Sequence, residues 1–278
     1  MTTIGVDRSV SDAWRLTVQI PTPQGESSES GASDGNQSGY TTLPIDAPSF
    51  FDAAEMLNAS TLRKLRFSHA QFLAFSEDLA RSGKIGEFAA PIIRFVRIRR
   101  TANVFAARCA AMDFVKTNEP VIGTSTSKTL ETLSQDSEEI SYFPETTLES
   151  FYEATEEACH QPAVPLAAVN GMKGSRETGP AYSGGFLPAG RYLAGELPRQ
   201  GKNKLELFGT AVFVGDTMAD ALDGDETRYL LMASDVFWHS YFSVPDPNFP
   251  NYIISWIRSA KGCRMRRAPS TALIRRSR

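Results

Sequence analysis

LELFGTAVFVGDTMADALDGDETRYLLMASDVFWHSYFSV, residues 205–244, is the stretch whose reading decides the fold. Two apolar, aromatic and β-branched runs flank a polar break, TMADALDGDETR. In the first run Leu205, Leu207, Ala211 and Phe213 fall on one side of a pleat. In the second, Leu230, Met232, Val236, Trp238, Phe242 and Val244 do so, opposite Asp235, His239, Tyr241 and Ser243. Period two with this composition predicts strands, and a turn-rich break between them predicts antiparallel neighbours.

Around that stretch the composition is that of an ordinary folded chain. The 278 residues, 41% of them hydrophobic, suffice for one large β domain or two small ones. Charged residues interrupt every apolar run before it reaches bilayer length, and the N-terminus lacks a basic segment followed by an apolar one. No membrane partner and no secretory signal are therefore expected. Cys109, Cys159 and Cys263 form neither a disulfide framework nor a metal cluster, which predicts a reducing, intracellular setting.

Charge is distributed unevenly. From Pro247 onward stand eight basic residues, Arg258, Lys261, Arg264, Arg266, Arg267, Arg275, Arg276 and Arg278, and no acid. The net charge of −3 thus divides into +8 at this end and −11 over the rest.

In chain order, Ala13 to Pro21 alternates as an edge strand. The Ser, Gly and acid-rich residues 22–40 read as a flexible linker, so residues 1–40 are expected to be an arm and the ordered body to begin near Tyr40. Ser49 to Asn58 predicts a short helix. Over Ser60 to Lys84 the spacing of Leu62, Leu65, Leu73 and Leu79 favours a helix, while the same letters also fit a strand to about Ser76 followed by a helix Glu77 to Arg81. Ile92 to Arg100 predicts a strand and TANVFAARCAAMDFV either a strand or a helix. Lys116 to Glu139 reads as an exposed excursion and Ile140 to Phe143 as a short strand. Leu148 to Ala158 predicts a helix capped by Thr146 or Thr147, and Ala163 to Val169 and Arg191 to Leu197 predict short strands. The body spans 41–257 on this reading, and 258–278 is a basic arm.

No catalytic signature stands out. His69, His160 and His239 have no partner at ligand spacing, so neither a metal nor another cofactor is expected. Adjacent Cys159 and His160 point apart; a dyad of Cys159 with His239 stays open. The glycine-rich SGGFLPAG at 183–190 lacks the GK[ST] ending of a phosphate cradle. Asp216, Asp220, Asp223, Asp225 and Glu226 fit a solvated loop better than a calcium loop. The basic arm fits phosphate-backbone binding, with a solubilising tail or a nuclear-targeting signal as competing readings.

The order of DLARSGKIGEF, IIRFVRIRR, NVFAARCAAMDFV, KLELFGTAVFV and YLLMASDVFWHSYFSV over roughly residues 60–245 resembles that of single jelly-roll coat proteins of small icosahedral plus-strand RNA viruses. The chain departs from them in carrying its basic arm at the C-terminal end. The resemblance implies an all-β, β-dominated jelly-roll sandwich of two antiparallel sheets with a few helices. It implies a non-enzymatic capsid protein that self-assembles into a homo-oligomeric shell, packages RNA through the eight basic residues above, and resides in the virion or host cytoplasm. Two other functions remain open on sequence: an α-rich nucleoprotein or other RNA-binding protein, and a hydrolase with a cryptic Cys159/His239 site.

Overall fold

The computed structural model describes residues 3–9, 14–21, 40–61, 64–94, 98–119, 126–135, 137–157, 160–171, 190–199, 201, 204–246, 248 and 253–259. Its centre is a mixed sheet of eight strands in the order β3-β2-β1-β4-β5-β6-β7-β8. These are β1 (Thr3–Arg8), β2 (Trp14–Pro21), β3 (Tyr40–Ala47), β4 (Phe72–Ser76), β5 (Asn103–Ala107), β6 (Ala163–Val169), β7 (Leu205–Val214) and β8 (Thr217–Leu222). The middle strands β1, β4, β5 and β6 run parallel, and the flanking pairs are antiparallel.

Parallel neighbours need long crossovers, and here helices make them. Between β3 and β6 come α1 (Phe50–Ser60), α2 (Glu77–Arg81), α3 (Ile85–Arg94), α4 (Ala111–Thr117), α5 (Thr126–Gln135), α6 (Ser137–Ile140) and α7 (Leu148–Glu156). They close both faces of the sheet. Leu73 and Phe75 of β4 and Val104 and Ala106 of β5 join Phe50, Phe88, Ile92 and Phe151 in one core. The intervening Phe72, Ala74, Phe105 and Ala107 join Phe114 and Leu130 in a second. Central strands buried on both sides read as continuous apolar runs, as the fully buried FLAFS of β4 does.

The protein is therefore β-rich with a large mixed sheet, not a sandwich of antiparallel sheets. A jelly roll has no parallel strands, and here four lie side by side. The partner of β7 is β8, formed inside the polar break, and not the second apolar run. That run instead splits into α8 (Gly224–Ala233) and β9 (His239–Pro245), and β9 pairs with β10 (Ile253–Ser259) in a separate two-stranded ribbon.

Further expectations change for local reasons. Residues 3–8 and 14–21, expected in a flexible arm, form β1 and β2, with Ile4, Val6, Leu16 and Val18 essentially inaccessible; β2 is an interior strand. Residues 22–39, read as a linker, lie outside the described residues. Over 60–84 the strand-then-helix alternative is the one found. The expected strand from Ile92 begins inside α3, where Ile85, Phe88, Ala89 and Ile92 line one helical face and Pro91 is accommodated within the helix. The excursion at 116–139 holds α5 and α6, with Leu130 fully buried. No strand forms at 140–143 or 191–197. The helices at Ser49 and Leu148 form as expected, capped by Ser49 and by Thr147.

One irregularity shapes β7. Thr210 faces Pro165 but Leu207 faces Ala167, so β7 carries one extra residue in a bulge. Gly209 sits there at φ 87°, and a Cβ on it would stand 2.5 Å from the Leu222 carbonyl oxygen. Leu205 and Leu207 consequently enter one core while Ala211 and Phe213 enter the other.

Candidate functional site

The ribbon is where the molecule leaves apolar surface open. It is reached through α8, whose first turn is closed by a capping box: the Asp223 side chain accepts from the Glu226 amide and Glu226 accepts from the Asp223 amide. Gly224, Thr227, Arg228 and Leu231 are the buried face of this helix. Arg228 is 3% exposed. Its guanidinium lies 4.6 Å from the Tyr142 ring centroid and 4.1 Å from that of Phe242. It donates through Nη1 to the Tyr241 carbonyl at 2.7 Å and to Ser240 Oγ at 3.3 Å, and it pairs through Nη2 with Asp225.

The sandwich continues in both directions. Tyr142 stacks on Phe208 of β7 at 4.5 Å, and Phe242 stacks on Trp256 of β10 at 5.7 Å. Five planar groups, Phe208, Tyr142, Arg228, Phe242 and Trp256, thus join the main sheet to the ribbon. Burial pushes the Tyr142 phenol up, partly offset by the neighbouring Arg228 charge. Two hydroxyls fix the base of the ribbon, with Ser141 Oγ donating to the His239 carbonyl at 2.9 Å and Ser240 Oγ to the Ile140 carbonyl at 3.0 Å.

Beyond this joint the ribbon is bare. Tyr241 and Ile257 face each other across the two strands and are 62% and 60% exposed. Trp238, just ahead of β9, is 50% exposed, and Val244, Ile254 and Trp256 are open on the alternate face. A ribbon apolar on both faces is what an interaction element looks like, since soluble surfaces seldom leave such residues contiguous.

The polar candidates are used up structurally. Both Asp7 oxygens accept backbone amides at the start of α4, from Ala111 at 2.7 Å and Met112 at 2.8 Å, while burial still holds its carboxyl above the ordinary value. Glu206, buried on β7, accepts from Arg199 Nε at 2.6 Å, from the Gly195 amide at 2.7 Å and from Asn170. Burial pushes the Cys109 thiol up, away from the reactive thiolate.

Among the described residues, those singled out in the sequence do not converge. His69 and His160 are exposed, His160 against Glu157 at 2.7 Å, and His239 lies in β9. Asp223 caps α8, Asp225 pairs with Arg228, and Asp216 and Asp220 lie on the β7–β8 hairpin. No metal-ligand group forms among the described residues. Cys159, Cys263, the 183–189 glycines and, of the basic arm, Lys261, Arg264, Arg266, Arg267, Arg275, Arg276 and Arg278 lie outside the described residues. Arg258 is on β10, exposed. Arg228 had no sequence signal of its own, but the Asp223 to Glu226 spacing could have revealed the helix that carries it.

Compared with known families, residues 1–169 match the spore germination protein N-terminal domain. The chain belongs to that family. The match runs from β1 to the end of β6, so α8 and the ribbon lie beyond it. Membership in a spore germination family overturns the coat-protein reading, and with it the RNA-packaging shell, the nucleoprotein alternative and the virion or host-cytoplasm setting. Among solved structures, a crystal structure of the GerBC protein aligns with 91% of this chain at 16% identity and a TM-score of 0.38. This chain covers 61% of that one. No curated protein matches.

Proposed function

We propose that this spore germination family member is a non-catalytic subunit of a germinant receptor at the spore inner membrane. The observation that carries the reading is the family match over residues 1–169, which takes in the whole parallel core of the sheet. The chemistry of the described residues is in keeping with it. Buried Asp7, Glu206 and Arg228 each hold backbone or side chains in place, and none is free to act on a substrate. What remains available is surface, above all the ribbon, and a subunit works through surfaces. Among the described residues no helix is long and apolar enough to cross a membrane.

The test is deletion of the gene in its spore-forming host, followed by the fall in optical density when spores meet germinants. Loss of response to at least one germinant, restored by the gene in trans, is expected. Unchanged germination by every germinant that the host recognises would refute the assignment.

A further inference from the structure

Trp14 opens β2 and faces Ala47 at the end of β3, so the turn into α1 carries Pro48, Ser49, Phe50 and Phe51 past its ring. From the other side α3 brings up Glu87, Phe88 and Pro91. Together they line a cleft of about 210 Å³. We propose that this cleft binds a small quaternary ammonium compound, with the cation among the aromatic rings and the Glu87 carboxylate at its edge.

Ring geometry is the first reason. Phe50 stands nearly perpendicular to Phe51 and to Phe88, at 80° and 89°, and Trp14 is tilted by 47° against Phe88 with centroids 5.5 Å apart. Rings at such angles bound a box and not a flat stack, and aromatic walls of this kind hold a cation through their ring quadrupoles. Charge is the second. Glu87 is the one charged side chain in the lining; it is exposed, and among the described residues it has no ion-pair or hydrogen-bond partner. An anion is disfavoured, because the α1 N-terminus that would attract one is already closed: Ser49 Oγ accepts from the Asp52 amide at 3.1 Å and donates to the Asp52 carboxylate at 2.7 Å. A primary ammonium is disfavoured as well, since it brings three N–H donors and Glu87 is the one lining side chain with an acceptor to spare. A fully methylated nitrogen has no donor to satisfy. Size agrees: roughly 150 Å³ admits a benzene molecule, so this cleft has room for about eight non-hydrogen atoms, the size of choline. Pro48 and Pro91, one on each side, leave the walls little to reorder on binding.

Such a site is independent of the receptor assignment, since binding is read on purified protein. The full 278-residue chain is titrated with choline chloride by calorimetry and by saturation-transfer NMR on the N-methyl signal. Two probes run beside it: 3,3-dimethylbutan-1-ol, the uncharged isostere of choline, and n-butylammonium, the analogue of a lysine side chain. Saturable binding of one choline per chain is expected, with both other probes weaker by at least about tenfold. Trp14→Leu keeps an apolar wall but removes a ring, and should weaken choline about tenfold. Glu87→Gln should weaken it about threefold at low salt and less at high salt. Glu87 is exposed, so this second variant keeps the test decisive if Trp14→Leu folds poorly. Equal binding of the isostere would make the cleft a purely apolar site, and equal or tighter binding of n-butylammonium would make it a seat for a partner's lysine. Choline binding unchanged by both substitutions would place the cation elsewhere, on Trp238 or Trp256. Each of these results overturns the proposal, as does the lack of saturable choline binding.

Discussion

β4 and β9 are built from similar letters and meet opposite fates. FLAFS of β4 is fully buried, between α-helices on one face and α4 and α5 on the other. HSYFSV of β9 keeps only Ser240 and Phe242 buried and leaves Tyr241 and Val244 in the open. Apolarity alone thus does not distinguish a strand that holds the fold together from one that offers itself to something outside. The distinguishing feature is whether the chain has enough neighbouring helix to close both faces.

The sharpest way to break this comparison is a paired truncation. Phe75→Ala removes a fully buried ring that packs against Phe88 and Phe151, and should cost about 4 kcal/mol in urea unfolding. Tyr241→Ser, at 62% exposure, should cost within about 0.5 kcal/mol. Comparable losses at both sites would mean that the ribbon is part of the core after all.

A smaller effect is expected at the joint. Arg228→Ala leaves Asp225 without its cation and empties the space between Tyr142 and Phe242, at a cost of about 3 kcal/mol. The loss should be local: amide hydrogen exchange speeds up in β9 and β10 while β4 and β5 keep their protection. Uniform loss of protection would show that ribbon and sheet unfold as one unit.

The smallest effect concerns acidity inside the body. Asp7 has its folded pKa raised above 3.8, chiefly by burial, against the pull of its two amide donors. The native state therefore binds this proton more tightly than the unfolded chain. Its contribution to stability is largest below the unfolded value and declines as pH rises through the folded one. Asp7→Ala should flatten the slope of stability against pH just above 3.8 while lowering stability overall, because two amides of α4 lose their acceptor. An unchanged slope would place the shift elsewhere.

Much of the backbone was legible. β2, β6, β7, α1 and α7 follow directly from alternation or from a capping residue before an apolar period. What was hidden had physical causes. Pro91 looked like a breaker, yet the i, i+3, i+4, i+7 set of Ile85, Phe88, Ala89 and Ile92 outweighs it once that face has a sheet to cover. YLLMA alternates well enough to pass for a strand, and only the capping box of Asp223 and Glu226 marks α8. The topology was out of reach because parallel pairing depends on which helices cross between strands, and short strands such as β1 carry no record of it. The joint was hidden for a related reason: it assembles Phe208, Tyr142, Arg228, Phe242 and Trp256 from five separate segments.

The bulge at Gly209 sets a condition on chain length. Ahead of it the odd-numbered residues of β7 feed one hydrophobic layer, and behind it they feed the other. Removing the extra residue here would close the bulge and leave Ala211 and Phe213 in their own layer, whereas removing a residue between the bulge and Ala211 would turn both toward the other one. This strand should accept many exchanges of one apolar residue for another, yet tolerate a change of length only at the bulge itself.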